Sequence, residues 1–229
     1  MKLHQLLFCV FLFLFLSFST AFGDELLLQP DGVSGKDAAL VETNPSSTYG
    51  NDDDLTINYS SSTDHGLIEF DLSSLPADAT IDSATLELRE YSNCSINQNA
   101  IEIHLNSAFW DESTVTWTNA PAYGPSIATN SGETANCDWL IFDVTSAVND
   151  WYNGASSNYG FRVTGPSETD VIKFIYSSDH SIASDRPILR INYTPQSQAI
   201  PTMTEWGMIV FTLLLGASAI WYMRRRTLA

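Results

Sequence analysis

The chain has 229 residues, of which 44% are apolar and 16% charged, and a formal net charge of −17. That length suits one good-sized globular domain, and the apolar share excludes a disordered chain. The acid excess excludes nucleic acid as a partner, whose capture rests on Lys and Arg neutralising phosphates.

In chain order, the first element is a leader. Lys2 precedes an almost unbroken apolar run from Leu6 to Phe18, followed by Ser19-Thr20-Ala21-Phe22-Gly23. A basic start, about a dozen apolar residues and small residues at the end make a secretory signal peptide, assigned to residues 1–23. A retained signal anchor is the alternative, although the run is short for a membrane span. From Asp24 to Ala199 there are 26 acidic and 6 basic residues, a balance of −20. A cation is the natural partner of such a domain, and an anionic polymer would be repelled unless a metal bridged it.

Short strands are predicted at 25–29, 55–59, 66–71, 84–91, 100–105, 139–142, 159–164, 171–177 and 187–193. Ala84-Thr-Leu86-Glu-Leu88-Arg89 alternates with period two, which turns Leu86 and Leu88 inward and Glu87 and Arg89 outward. Clusters of Ser, Asn, Gly, Pro and Asp punctuate the runs, as in a sandwich or barrel. Between the first two strands lies Asn51-Asp52-Asp53-Asp54, the sharpest acidic cluster. Ca²⁺ takes six to eight oxygens from carboxylates and carbonyls, so this run reads either as a Ca²⁺ loop, with Asp37 as a further ligand, or as a solvated acidic turn. Cys94 and Cys137 remain after the leader is removed, an even count in an oxidising compartment. They are expected to form one disulfide worth roughly 4 kcal/mol by loop entropy, two free thiols being the alternative. Phe142 to Gly154 reads as a strand entering a short helix that Asp143 or Thr145 caps, with Val148 and Trp151 on one face. His104, beside Glu102 on the polar side of its strand, reads as exposed.

The chain closes with Ile200-Pro201-Thr202-Met203, Glu205-Trp206-Gly207, an apolar run to Met223 and Arg224-Arg225-Arg226. Residues 206–223 give about 27 Å of helix, enough to cross a bilayer, and the Arg run predicts a cytoplasmic end.

Two resemblances follow from these residues. The tail, residues 196–229, resembles the IPTL-CTERM sorting signal, with Ile200, Pro201, Thr202, Met203, Trp206 and Gly207 as its motif; Met203 stands where that family usually has Leu. The resemblance implies an exosortase-type partner in a Gram-negative bacterium, transient anchoring in the inner membrane, and delivery to the cell surface or extracellular matrix. Residues 24–195 resemble the DNRLRE domain, also called carbohydrate-binding module family 96. The matching residues include Phe70-Asp71-Leu-Ser-Ser-Leu-Pro76, Trp110 to Pro121 with Trp117, Phe142-Asp-Val-Thr145 with Trp151 and Gly154, Tyr159-Gly-Phe161 and Asp185-Arg186-Pro187. This resemblance implies an all-β, jelly-roll-like antiparallel β-sandwich with one short helix that binds polysaccharide without cleaving it. Trp110, Phe70, Phe142, Trp117 and Trp151 read as core and Asp71 and Asp143 as turn caps. For a sugar, exposed aromatic rings are needed, and Tyr49, Tyr59, Tyr123, Tyr159 and Tyr176 are the candidates; Tyr123 lies in the Gly/Pro loop 120–125.

No Gly-x-Ser-x-Gly elbow, His-Glu-x-x-His, phosphate loop or CxxC occurs, so the chain reads as a non-enzyme. Two other readings stand beside sugar binding: a structural matrix or adhesion protein without a saturable site, and a polysaccharide-degrading enzyme whose carboxylate separation the sequence does not give.

Overall fold

A computed structural model describes residues 23–92, 100–130, 137–166, 171–196 and 203–226. Residues 1–22 of the leader, Cys94 and Ile200, Pro201 and Thr202 lie outside the described residues. The chain divides into two units, Met1–Pro195 and Gln196–Ala229.

The first unit holds strands β1 Asp24–Leu28, β2 Asp37–Val41, β3 Asp54–Asn58, β4 Asp64–Ile68, β5 Ala79–Ser92, β6 Ile101–Asn106, β7 Tyr123–Asn130, β8 Trp139–Asp143, β9 Phe161–Thr164, β10 Ile172–Tyr176 and β11 Ile188–Pro195, and helix α1 Thr145–Tyr152. All pairings are antiparallel. One arm runs β1-β11-β5-β8 and the other β2-β4-β9-β6-β7, with β10 and β3 joining them from β5 to β4. Inward residues of both arms share one core: Leu86, Leu88, Leu140, Phe142 and Ile191 from the first, Ile101, Ile103, Phe161 and Val163 from the second. The expected jelly-roll-like sandwich is therefore what the chain forms.

Alternation decides which residues enter that core. Along β5, Ala84, Leu86, Leu88 and Glu90 are buried while Thr85, Glu87 and Arg89 are partly exposed. Phe70, Trp110, Phe142 and Trp151 are all at least nine-tenths buried, as predicted. Asp71 accepts from the Ser73 N–H (2.9 Å) and hydroxyl (2.7 Å), and Asp143 accepts from the Thr145 N–H (3.0 Å) and hydroxyl (2.6 Å). Both acids close turns, which holds their carboxyls below the ordinary range. Helix α1 buries Ala147, Val148 and Trp151, and Gly154 (φ +70°) ends it in the left-handed conformation that glycine favours.

Two strands, β2 and β7, have no counterpart among the predicted strands. β2 has no alternation because both of its faces are covered: Ala39 joins the main core, while Ala38 and Leu40 join a second one. β7 starts inside residues 120–125, which the sequence reads as a Gly/Pro loop. Its Gly124 and Pro125 are tolerated because, among the described residues, it pairs with β6 alone, across two register shifts.

The second core matters most for function. It comprises Ala38, Leu40, Leu67, Trp110 and Val115, with Trp117 and Ala120 packed against it. The segment between β6 and β7 therefore folds back over the outer face of the β2-β4-β9-β6-β7 arm. Trp110 Nε1 donates to Tyr159 O (3.0 Å), and Thr118 donates through its N–H (3.0 Å) and hydroxyl (2.8 Å) to Pro45 O.

The second unit is helix α2, Met203–Arg226. Its Trp206–Arg225 portion has a mean hydropathy of 1.6 over 20 residues, long and apolar enough to cross a membrane.

Candidate functional site

The outer face of the second arm carries side chains that alternation turns away from the main core: His65 on β4, Arg162 and Thr164 on β9, Glu102 and His104 on β6. The register sets His104 opposite Arg162 and Glu102 opposite Thr164. Where the β6–β7 segment crosses this face, it leaves a groove of about 460 Å³ lined by Tyr59, Thr63, His65, Trp117, Ala120, Tyr123 and Arg162.

The floor of the groove is a hydrogen-bonded chain. Arg162 donates from Nη1 to His65 Nδ1 (3.2 Å) and from Nη2 to Pro121 O (3.0 Å). A guanidinium only donates, so Nδ1 accepts and the neutral ring carries its proton on Nε2, which donates to Tyr59 Oη at 2.6 Å. Burial, then the Arg162 and His104 charges, push His65 down to about 3. Burial also brings Arg162 down to about 10 and raises Tyr59 to about 12. His104 is fixed by Gly124 O (2.9 Å) and Thr164 Oγ (3.1 Å). It is therefore buried rather than exposed as expected, because β7 covers it.

The walls are aromatic. His65 lies 5.5 Å from Tyr59 in a stack, 5.2 Å from Trp117, and 5.8 Å from Tyr123 edge-on. The Arg162 guanidinium sits 4.6 Å from the Tyr123 ring centroid, a cation–π contact. Tyr123 is 40% exposed, so its ring can meet a ligand while it is braced from behind.

Four of the six cations between Asp24 and Ala199 are committed to carboxylates: Lys36 to Glu69, Arg89 to Asp185, Lys173 to Glu90, and Arg190 to Glu87 and Glu25. Arg162 forms no ion pair among the described residues, and its buried Nε has no hydrogen-bond partner. The groove thus holds a rigid guanidinium with spare donor capacity among aromatic rings.

Of the five candidate tyrosines, Tyr59 and Tyr123 meet in this groove. Tyr49 packs against the main core, and Tyr159 offers its carbonyl to Trp110 and Asn106. Tyr176 belongs to a separate stack, 4.5 Å from Tyr91 and 3.9 Å from His180. Trp117, expected in the core, turns out to be a groove wall as well as a core neighbour. His65 and Arg162 were not singled out in the sequence.

The acidic residues gather elsewhere. Asp37, Glu112 and Asp179 bring carboxylate oxygens within 4.8 Å of one another. Asp37 is almost fully buried; burial, with the Glu112 and Asp179 charges adding to it, raises it to about 7. Glu112 and Asp179 are also raised, mainly by burial. Asp52, Asp53 and Asp54 are not part of this group, although the charges of Asp52 and Asp53 reach Asp179. Asp54 accepts from the Tyr91 hydroxyl (2.6 Å), and the carbonyls of Asp52 and Asp53 accept from Ser177 Oγ (2.6 Å) and N–H (3.2 Å).

Compared with known proteins, residues 33–193 match the profile of carbohydrate-binding module family 96, and residues 198–226 match the IPTL-CTERM motif. No curated protein matches the chain.

Proposed function

Because the chain belongs to carbohydrate-binding module family 96, we propose that it binds polysaccharide, without cleaving it, in the groove between the β6–β7 segment and the second sheet arm. One observation carries this reading: aromatic rings from Trp117, Tyr123 and Tyr59 line an open groove around an unpaired Arg162. Pyranose rings offer flat C–H faces that pack on aromatic faces, while their hydroxyls need fixed donors and acceptors. Arg162 and the Tyr hydroxyls supply these, and His65 holds both Arg162 and Tyr59 in place before a sugar arrives, which lowers the ordering cost.

The test is direct binding of the detergent-purified full chain to a panel of neutral and uronic polysaccharides. Saturable binding to at least one is expected, with no release of reducing ends. Trp117→Ala should weaken that binding by about 10- to 30-fold, the range of a truncated aromatic anchor. Silence across the panel would favour the structural matrix role, and polymer breakdown would favour the enzyme.

The tail supports export and surface sorting: the IPTL-CTERM match and the apolar helix coincide over Met203–Arg226. In this reading the leader is removed near Gly23, α2 anchors the chain transiently in the inner membrane of a Gram-negative cell, and an exosortase-type enzyme cuts after the motif begins. Mass spectrometry of the surface-exposed product should give a mass lacking the first 23 residues and the helix. Under non-reducing conditions it should also be 2 Da below the dithiol, for a Cys94–Cys137 bridge. A product that keeps Arg224 to Arg226 would leave α2 as a permanent anchor.

A further inference from the structure

The acidic group at Asp37 lies outside the groove, and sugar binding does not use it. Asp37 opens β2, Glu112 follows Trp110 in the β6–β7 segment, and Asp179 follows β10. Three segments far apart in sequence thus deliver one carboxylate each to one point. Among the described residues none of the three forms an ion pair. The nearby cations are occupied: Lys36 pairs with Glu69 at 2.6 Å, and Arg186 Nε donates to His180 O at 2.8 Å.

Convergent carboxylates alone do not make a site, since exposed acids often cluster in a chain this acidic. Two further observations set this group apart. Asp37 is 2% exposed, so its charge is not relieved by water. Ser178 is 1% exposed, and its hydroxyl lies beside the Asp37 carboxylate without a hydrogen-bond partner of good geometry. A buried hydroxyl left unpaired costs about 1–3 kcal/mol, so its placement against a carboxylate group calls for a ligand. The backbone around it is closely fitted. The Ser178 N–H donates to Asp37 Oδ2 at 2.8 Å and the Asp37 N–H to Glu112 Oε1 at 2.9 Å. A Cβ at Gly32 would strike Asp179, and one at Gly35 would strike Ser178.

We propose that Asp37, Glu112 and Asp179, with the Ser178 hydroxyl, hold a hard divalent cation of the Ca²⁺ class. The donor set is all oxygen, which suits Ca²⁺ and not zinc or copper. Three carboxylates also neutralise a dication with charge to spare. The ion ties β2, the β6–β7 segment and the end of β10 together. The Asn51–Asp54 run then contributes background negative potential rather than ligands.

The experiment is calcium titration of the full chain in detergent after EDTA treatment and dialysis, read by calorimetry and by thermal melting. A saturable heat and a rise in Tm with CaCl₂ are expected, with MgCl₂ weaker. Glu112→Gln and Asp179→Asn should each weaken calcium by at least about tenfold, and Ser178→Ala by a few-fold, the loss of one ligand. Their melts in EDTA should match or exceed that of the parent, because removing a carboxylate relieves repulsion; this separates loss of a ligand from loss of the fold. Asp53→Asn should bind calcium normally, and so should Trp117→Ala, which keeps this outcome separate from the fate of the sugar groove. Absence of any calcium response beyond the millimolar range of extracellular calcium modules would overturn the proposal. So would full affinity in both Glu112→Gln and Asp179→Asn, or its loss in Asp53→Asn.

Discussion

Lys173→Met should lower the stability of the sandwich by about 3–5 kcal/mol, the largest single effect expected outside the aromatic core. Lys173 is fully buried on β10, and its Nζ donates to both oxygens of Glu90 on β5, at 2.8 and 3.0 Å. Glu90 is equally buried. Removing the ammonium leaves a carboxylate in a medium that solvates it poorly, and that penalty dominates the result. The reverse holds if both charges go. Lys173→Met with Glu90→Leu replaces the pair by apolar volume and should return to within about 1–2 kcal/mol of the parent, or exceed it, because burying the pair costs nearly what its attraction returns. Thermal melts of the full chain in detergent distinguish the two. The single variant should melt roughly 6–20 °C lower, using the 2–4 °C per kcal/mol of a domain this size. Equal losses in the single and double variants would show that packing, not charge, sets the cost.

Acidification should erode the advantage of the parent over His65→Gln by about 2–3 kcal/mol between pH 6.5 and pH 4.5. His65 faces Tyr59, Tyr123, Trp117, Arg162 and His104, and its ring is held neutral down to about pH 3. The unfolded chain titrates near 6.5. In this window the unfolded state binds the extra proton, so stability is fully present above pH 6.5 and declines as the pH falls. Asp37 works in the opposite sense, since its folded value lies above its unfolded one. The overall stability curve therefore mixes the two, and the difference between parent and His65→Gln isolates the histidine. Chemical denaturation at a series of pH values, with chelator present, measures that difference. A constant gap would mean that the ring is not held neutral. The same buried histidine predicts sugar binding that is flat from pH 8 to pH 5, where an ordinary imidazole would have charged.

The legible part of the fold was the part governed by one period. Leu86 and Leu88 read correctly because β5 has water on one side of each outward residue and core on the other. Val148 and Trp151 read correctly because α1 presents one face to the core. The rule failed wherever a second layer covered the outward face. His104, Arg162 and His65 stand on the side that alternation assigns to solvent, yet the β6–β7 segment and β7 lie over them. Their burial depends on contacts across about 20 to 100 residues of sequence, which no local pattern carries. Lys173 was invisible for a related reason: a lysine between Ile172 and Phe174 reads as a charged surface residue until Glu90 is placed opposite it. The Gly/Pro loop 120–125 set Tyr123 apart locally, but Tyr59 could be picked from residue type alone, and nothing local separates it from Tyr49 or Tyr159.

The β6–β7 segment has its own small apolar anchorage in Trp110 and Val115, distinct from the packing between the sheet arms. Lineages can therefore rework the rim that Trp117 contributes, lengthening or recharging it, while the inter-sheet interior stays untouched. Ligand preference in such an architecture is free to diverge faster than the scaffold that displays it.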